Sequence, residues 1–254
     1  MIKLNEMTKA SAIAIAGVAA LVQPEARAAG SCTAHSAQTA TQVVELYTSE
    51  GCNSCPPADK WLSRMTADPD VVALAFHVDY WDRLGWKDRF ASPTYTQRQA
   101  QQQSSNGARF SYTPQVVVNG QDRTDWSGIA APLAARANAA APVELTLARD
   151  GERVTATIAP TAGAPKRLAA YWAVTEQNHV SAVKAGENEG VTLKHDYVVR
   201  EYRQVGAWTA TADVPETLVF DLPAATDAAH PRQVNLVVVN ADNGRPVQAL
   251  KIGC

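Results

Sequence analysis

The sequence predicts an α/β domain followed by an all-β, sandwich-like domain. Three observations lead there. A strand-like run, Val43-Val44-Glu45-Leu46-Tyr47, precedes Cys52-Asn53-Ser54-Cys55 and a helix start at Pro56-Pro57. A second run, Val71 to Val78, is almost continuously apolar with several valines, the pattern of a strand buried on both faces of a parallel sheet. Beyond Ala140-Ala141-Pro142 the chain breaks into short strand-like runs separated by turn residues, the spacing of a sandwich.

Residues 1–28 read as a signal peptide. Lys3 and Lys9 supply positive charge, Ala10 to Val22 is apolar, and Ala26-Arg27-Ala28 has the form of a cleavage site. The apolar run is too short to span a bilayer. Export, to a bacterial periplasm or beyond, places the chain where disulfides persist. No stable membrane insertion is expected after cleavage, because no other apolar stretch is long enough to span. The formal charge of −2 and pI near 6.2 give no electrostatic footprint for nucleic acid. A hydrophobic content of 46% excludes disorder for the bulk of the chain.

Thr33 to Ala40 reads as a polar lead-in. Gln42 to Tyr47 is the first strand and Pro57 to Met65 a helix, with proline tolerated in the first turn because its missing N–H would be unpaired there. With Val71 to Val78 they make a βαβ unit. Asp79 to Asp88 is an aromatic, charged loop. Ser92 caps a helix that begins at Pro93 and runs through Gln101-Gln102-Gln103. Val116 to Val118, the turn signal Asn119-Gly120 and Gln121 to Asp125 make a hairpin, and Ser127 to Ala140 a closing helix. The strands expected after residue 142 are Val143 to Arg149, Glu152 to Ile158, Leu168 to Thr175, Val191 to Val199, Thr217 to Leu222, Val234 to Val239 and Val247 to Ile252.

Cys52 and Cys55 carry the chemistry. Two sulfurs at this spacing close a tight disulfide or open to a dithiol, and unpaired N–H groups at a helix start stabilise the attacking thiolate. A structural zinc site would need a second pair of ligands that the sequence lacks. A purely structural bridge is the bland alternative. A further alternative is a copper-binding or metallochaperone module using Cys52, Cys55 and His77, since soft thiolates suit Cu(I); no Met-rich tract accompanies them. A third is a non-catalytic binding protein in which His195, Tyr197 and Arg200 matter more than the cysteines. The redox reading needs no metal and no cofactor. Its partners would be protein thiols or disulfides and a second redox protein.

Functional residues of an open α/β sheet gather at the carboxyl ends of its strands. That puts Asp79, Tyr80 and Trp81 beside the sulfurs, with Tyr80 and Trp81 as candidate substrate contacts. Glu45 interrupts an apolar strand; as a buried carboxyl of raised pKa it would relay a proton from the second cysteine, or it faces an edge. His77 either tunes a cysteine or packs at the sheet's end. Cys32 and Cys254, at opposite ends of the mature chain, are expected to pair.

The order strand, C-x-x-C, helix, strand, helix, Thr113-Pro114, hairpin, helix resembles the thioredoxin-like fold. That resemblance implies a cis-proline at Pro114, next to Thr113 and facing the dithiol, with Cys52 attacking and Cys55 resolving. More closely, the chain resembles the DUF1223 family of exported proteins. The matching stretches are Val44 to Asp59, His77-Val78-Asp79-Tyr80-Trp81, Tyr112-Thr113-Pro114-Gln115, Asn119-Gly120, Gly186-Glu187-Asn188 and Leu193 to Arg200. The expected architecture is therefore an α/β thioredoxin-like domain over 29–141 and a β-sandwich-like domain over 142–254. The expected function is that of an exported thiol–disulfide oxidoreductase. Gly51 before the motif and Asn53-Ser54 within it depart from ordinary thioredoxins.

Overall fold

A computed structural model describes residues 31–65, 70–128, 140–224 and 227–254. The expected signal peptide and nearly all of the predicted closing helix lie outside the described residues. In chain order the elements are β1 (Cys32–His35), β2 (Gln42–Thr48), α1 (Pro56–Ser63), β3 (Val71–His77), α2 (Pro93–Ser105), β4 (Gln115–Val118) and β5 (Gln121–Asp122). Then follow β6 (Val143–Asp150), β7 (Arg153–Pro160), β8 (Arg167–Glu176), β9 (His179–Ala182), β10 (Thr192–His195), β11 (Val198–Thr209), β12 (Glu216–Asp221), β13 (Arg232–Asn240) and β14 (Pro246–Ile252).

The local rules act as the residues dictate. Every residue of β2 and β3 is buried, and the two strands pair in parallel from Gln42 opposite Val71 to Thr48 opposite His77. Pro56 and Pro57 open α1. Ser92 caps α2, its Oγ accepting the Thr94 N–H. Asn119 and Gly120 both take the left-handed backbone that the turn between β4 and β5 demands.

The expectation of an α/β thioredoxin-like domain followed by a separate all-β domain is overturned. Strands far outweigh helices, and both halves of the chain build one eight-stranded mixed sheet in the order β14-β13-β8-β11-β3-β2-β4-β5. The join is β11 beside β3, parallel, with Val198 opposite Ala75 and the Ala75 N–H donating to the Tyr197 carbonyl. The physical reason is backbone satisfaction. β3 is buried on both faces, so the edge that β2 does not cover needs a partner, and a strand from the second half supplies it. Hydrophobic periodicity reports that a residue is buried, not which strand lies beside it.

A second sheet, β1-β6-β7-β12, lies against the large one. Their shared core holds Leu145, Leu147, Ile158, Trp172, Phe220 and Leu236, with the Trp172 and Phe220 rings stacked at 5.2 Å. Farther along the large sheet, one face packs Tyr95 of α2 against Phe76, and the other packs Trp61 and Leu62 of α1. β1 forms inside the predicted polar lead-in and pairs with β6. Cys32, at its start, is disulfide-bonded to Cys254. The single strand expected over Val191 to Val199 is broken at Tyr197, whose φ of 57° lies in the left-handed region and ends the ladder.

Candidate functional site

Cys52 and Cys55 are joined in a disulfide between the end of β2 and the start of α1. Cys55 is the N-cap residue of α1, and its carbonyl accepts the N–H groups of Ala58 and Asp59 at 2.9 and 3.2 Å. Both cysteines are fully buried, whereas Asn53 and Ser54 between them are exposed. The Ser54 Oγ lies 3.3 Å from the Cys52 Sγ.

The loop after β3 and the segment before β4 flank this turn. Trp81 Nε1 donates to Thr113 Oγ1 at 2.8 Å, and the Thr113–Pro114 peptide is cis. Ser54 Oγ donates to the Thr113 carbonyl at 3.5 Å. Tyr80 is half-buried beside Trp81, and burial raises its phenol pKa. Gly51 is glycine for a steric reason, because a Cβ there would stand 3.1 Å from the Trp81 Cβ. Cys52, Cys55, Trp81, Thr113 and Pro114 are thus gathered, and Tyr80 borders them.

Glu45 points elsewhere. Its Oε1 accepts from Arg98 at 2.7 Å and from the Tyr171 hydroxyl at 2.6 Å, and its Oε2 accepts from Tyr47 and Gln102. Burial pushes its pKa up, but the Arg98 charge and these donors overcome it and lower the net value. Glu45 is held ionised, the opposite of the raised pKa expected of a proton relay.

The buried carboxyl that does carry a raised pKa is Asp59, one turn along α1 from Cys55. Burial raises it, and the nearby His195 and His77 offset this only in part; its Oδ2 accepts from Thr48 Oγ1 at 3.1 Å. Around it lies a closed set of ionisable groups. His77 is fully buried with Nδ1 2.7 Å from Asp88 Oδ2. Burial would lower the imidazole, but the Asp88 charge and hydrogen bond raise it. Asp88 is in turn lowered to about 2: burial raises it, but the His77 charge and hydrogen bond and the backbone N–H groups of Glu50 and Phe90 together outweigh burial. His195 Nε2 is 3.4 Å from Glu50 Oε1, and the His77 and His195 rings sit 5.0 Å apart. Trp86 Nε1 donates to Glu50 Oε2. His77 is therefore committed to Asp88 and packed against Phe90. No group of three His, Cys, Asp or Glu among the described residues has the arrangement of a metal site.

The turn between β9 and β10 closes over the motif. Asn188 Nδ2 donates to the Glu50 and Cys52 carbonyls at 2.8 and 2.9 Å, and Glu187 Oε2 accepts the Asn53 N–H. Sequence reasoning did not single out Asp59, Glu50, Asp88 or Asn188 for a role. One signal was present: an acid four residues after Cys55 in a helix shares its face, next to the buried Ala58 and Leu62.

A family model described as "Protein of unknown function (DUF1223)" matches residues 43–240. The chain belongs to the DUF1223 family. A solved structure of protein AGR_C_4864 from Agrobacterium tumefaciens is similar to this DUF1223 chain at 30% identity, with a TM-score of 0.65, covering 85% of this chain and 95% of the other. HBP35 of Porphyromonas gingivalis is similar in fold at 19% identity, with a TM-score of 0.60, covering 86% of this chain and 76% of the other. None of the curated proteins matches the chain. The DUF1223 match spans the C-x-x-C turn, the loop after β3 and the Asn188 clamp, so the whole cluster lies within the family's shared segment. Among the described residues no helix is long and apolar enough to cross a membrane.

Proposed function

We propose that this DUF1223 protein is an exported thiol–disulfide oxidoreductase whose reacting pair is Cys52 and Cys55. The observation that carries the reading is the pairing of the C-x-x-C disulfide at the start of α1 with the buried carboxyl of Asp59 one turn on. In the reducing direction the Cys52 thiolate attacks a substrate disulfide, forms a mixed disulfide and releases one substrate thiolate. The Cys55 thiol gives its proton to the Asp59 carboxylate and attacks the Cys52 sulfur. The internal disulfide re-forms and the second substrate thiolate leaves; the two electrons have passed to the substrate. A partner dithiol returns them, and the reverse sequence oxidises a substrate dithiol. A carboxyl of raised pKa suits that proton transfer. Thr113, Pro114, Trp81 and Tyr80 border the turn and would position the incoming chain. The signal-peptide pattern of residues 1–28 supports export.

Burial of both sulfurs makes access part of the mechanism. Asn188 and Glu187 tie down the Cys52 carbonyl and the Asn53 N–H, so exchange needs this clamp to lift. The same burial favours a second reading, in which the bridge only staples the turn. Exchange with oxidised glutathione separates the two: the reduced protein should exchange and a Cys52→Ala variant should not. Equal rates for the two would refute the redox reading.

A further inference from the structure

A groove of about 500 Å³ runs beside the C-x-x-C turn. Pro56, Asp59, Lys60 and Ser63 line one wall, a single stripe along α1. The other wall is the unbroken run Val191 to Asp196, which contains β10. The groove therefore begins at the residue that follows Cys55 and extends along a whole strand.

β10 offers a backbone edge there. Among the described residues it pairs only with β9, antiparallel, with Thr192 opposite Ala182 and His195 opposite His179. The Val183 N–H donates to the Val191 carbonyl directly across the ladder. In an antiparallel pair, hydrogen-bonded and non-hydrogen-bonded positions alternate. Leu193 and His195 therefore bond towards β9, while the N–H and C=O of Thr192 and Lys194 point away from it. The Val180 carbonyl, also on a non-bonded position, points outward in the same way and accepts from Arg89. The side chains alternate as well: Leu193 and His195 are buried, Thr192 and Lys194 exposed. Five strand steps from Val191 to Asp196 give roughly 16 Å of edge, room for about five residues of extended chain.

We infer that the β10 edge binds an extended, acidic polypeptide segment by strand addition and so lays the substrate chain alongside the C-x-x-C turn. This rests on the oxidoreductase reading and adds the class of substrate. Strand addition draws affinity from main-chain hydrogen bonds and specificity from alternate side chains. Here the bonds come from Thr192 and Lys194, and the apolar wall from Pro56, Val191 and Leu193. The charge argues for an acidic occupant. Lys60 and Lys194 are exposed on opposite walls. The Asp196 carboxylate accepts the Asn178 N–H, and that of Asp59 is buried against Thr48. A second copy of the chain fits less well, because two-fold edge pairing sets the same lysine-bearing strand against itself, and like charges directly opposite destabilise a sheet.

The test is fluorescence anisotropy of oxidised protein with a labelled peptide of about nine residues that alternates valine and serine, carries terminal glutamates and has no cysteine. Lys194→Pro removes an edge N–H that β9 does not use; Lys194→Ala keeps that N–H and loses only the charge. The expected result is binding that Lys194→Pro weakens at least about tenfold and Lys194→Ala by about two- to threefold, with the Thr192 and Lys194 amides protected from hydrogen exchange by the peptide. If Lys194→Pro proves unfolded by circular dichroism, that amide protection decides alone. No binding, equal binding by both variants, no protection, or a dimer in sedimentation that the peptide cannot compete with would each overturn the inference. The two readings fail separately. Edge binding without thiol exchange sinks the redox reading and leaves the groove; exchange without edge binding does the reverse.

Discussion

Asp59 lies one helical turn beyond Cys55, its N–H donating to the Cys55 carbonyl at 3.2 Å, with both residues buried. In the proposed exchange, this buried carboxyl one turn from Cys55 is the proton acceptor. Its raised pKa then has a cost to folding and a proposed use in exchange, and the two are measurable apart.

Asp59→Asn should stabilise the fold at neutral pH and slow exchange. Burial raises this carboxyl above its ordinary value of 3.8, so the folded state is penalised once pH exceeds the folded pKa, and the penalty vanishes below the unfolded one. The melting temperature of the variant should exceed that of the parent at about pH 8 and match it at about pH 3.5. Resolution of a Cys52 mixed disulfide should slow about tenfold or more, the scale of a lost general base.

The His77–Asp88 pair should shape the pH profile in the other sense. Asp88 is lowered to about 2, so its contribution is present above the unfolded value near 3.8 and is lost as pH falls through about 2. His77 is raised above 6.5, so its contribution is complete below 6.5 and fades as pH rises through the folded value. The stabilising window is therefore about pH 4 to 6.5. Asp88→Asn should cost about 3–5 kcal/mol within it, as expected when one partner of a buried pair is removed, and urea melts across pH would measure this.

Arg98→Leu tests the other buried charge. Arg98 and Glu45 side chains are 11% and 3% exposed, and nothing else near Glu45 is cationic among its hydrogen-bond partners, Tyr47, Gln102 and Tyr171. Losing the guanidinium should cost about 3–5 kcal/mol in denaturant unfolding while leaving the exchange rate of the folded protein unchanged, since Glu45 lies outside the dithiol cluster.

Asn188→Ala should loosen the clamp. Two hydrogen bonds to the Glu50 and Cys52 carbonyls disappear, each contributing roughly 1 kcal/mol. Reduction of the Cys52–Cys55 bond by limiting dithiothreitol should then run about tenfold faster or more, followed by thiol labelling. An unchanged rate would mean that the turn between β9 and β10 does not control access.

What could be read in the sequence was local. Pro56 and Pro57 after Cys55, the buried run Val71 to Val78, Ser92 before Pro93 and Asn119-Gly120 each carry their meaning within a few residues. The architecture was not local. Ala75 and Tyr197 are bonded through the backbone although seven of the fourteen described strands, β4 to β10, lie between them in sequence, and no period or turn signal encodes such a pairing. The site divides along the same line. Cys52 and Cys55 declared themselves by spacing, whereas Glu45 was misjudged because the residues that hold it ionised, Arg98 and Tyr171, arrive from α2 and β8. Asn188 and His195 come from the turn between β9 and β10 and from β10 itself, far along the chain from Cys52.

The most direct test of the central claim is the reduction potential of Cys52–Cys55 in the mature protein, by glutathione-buffer titration with mass-spectrometric thiol counting. A working oxidoreductase predicts a reversible couple between about −120 and −270 mV. A bond that stays closed below about −300 mV would make it a structural staple and contradict the account.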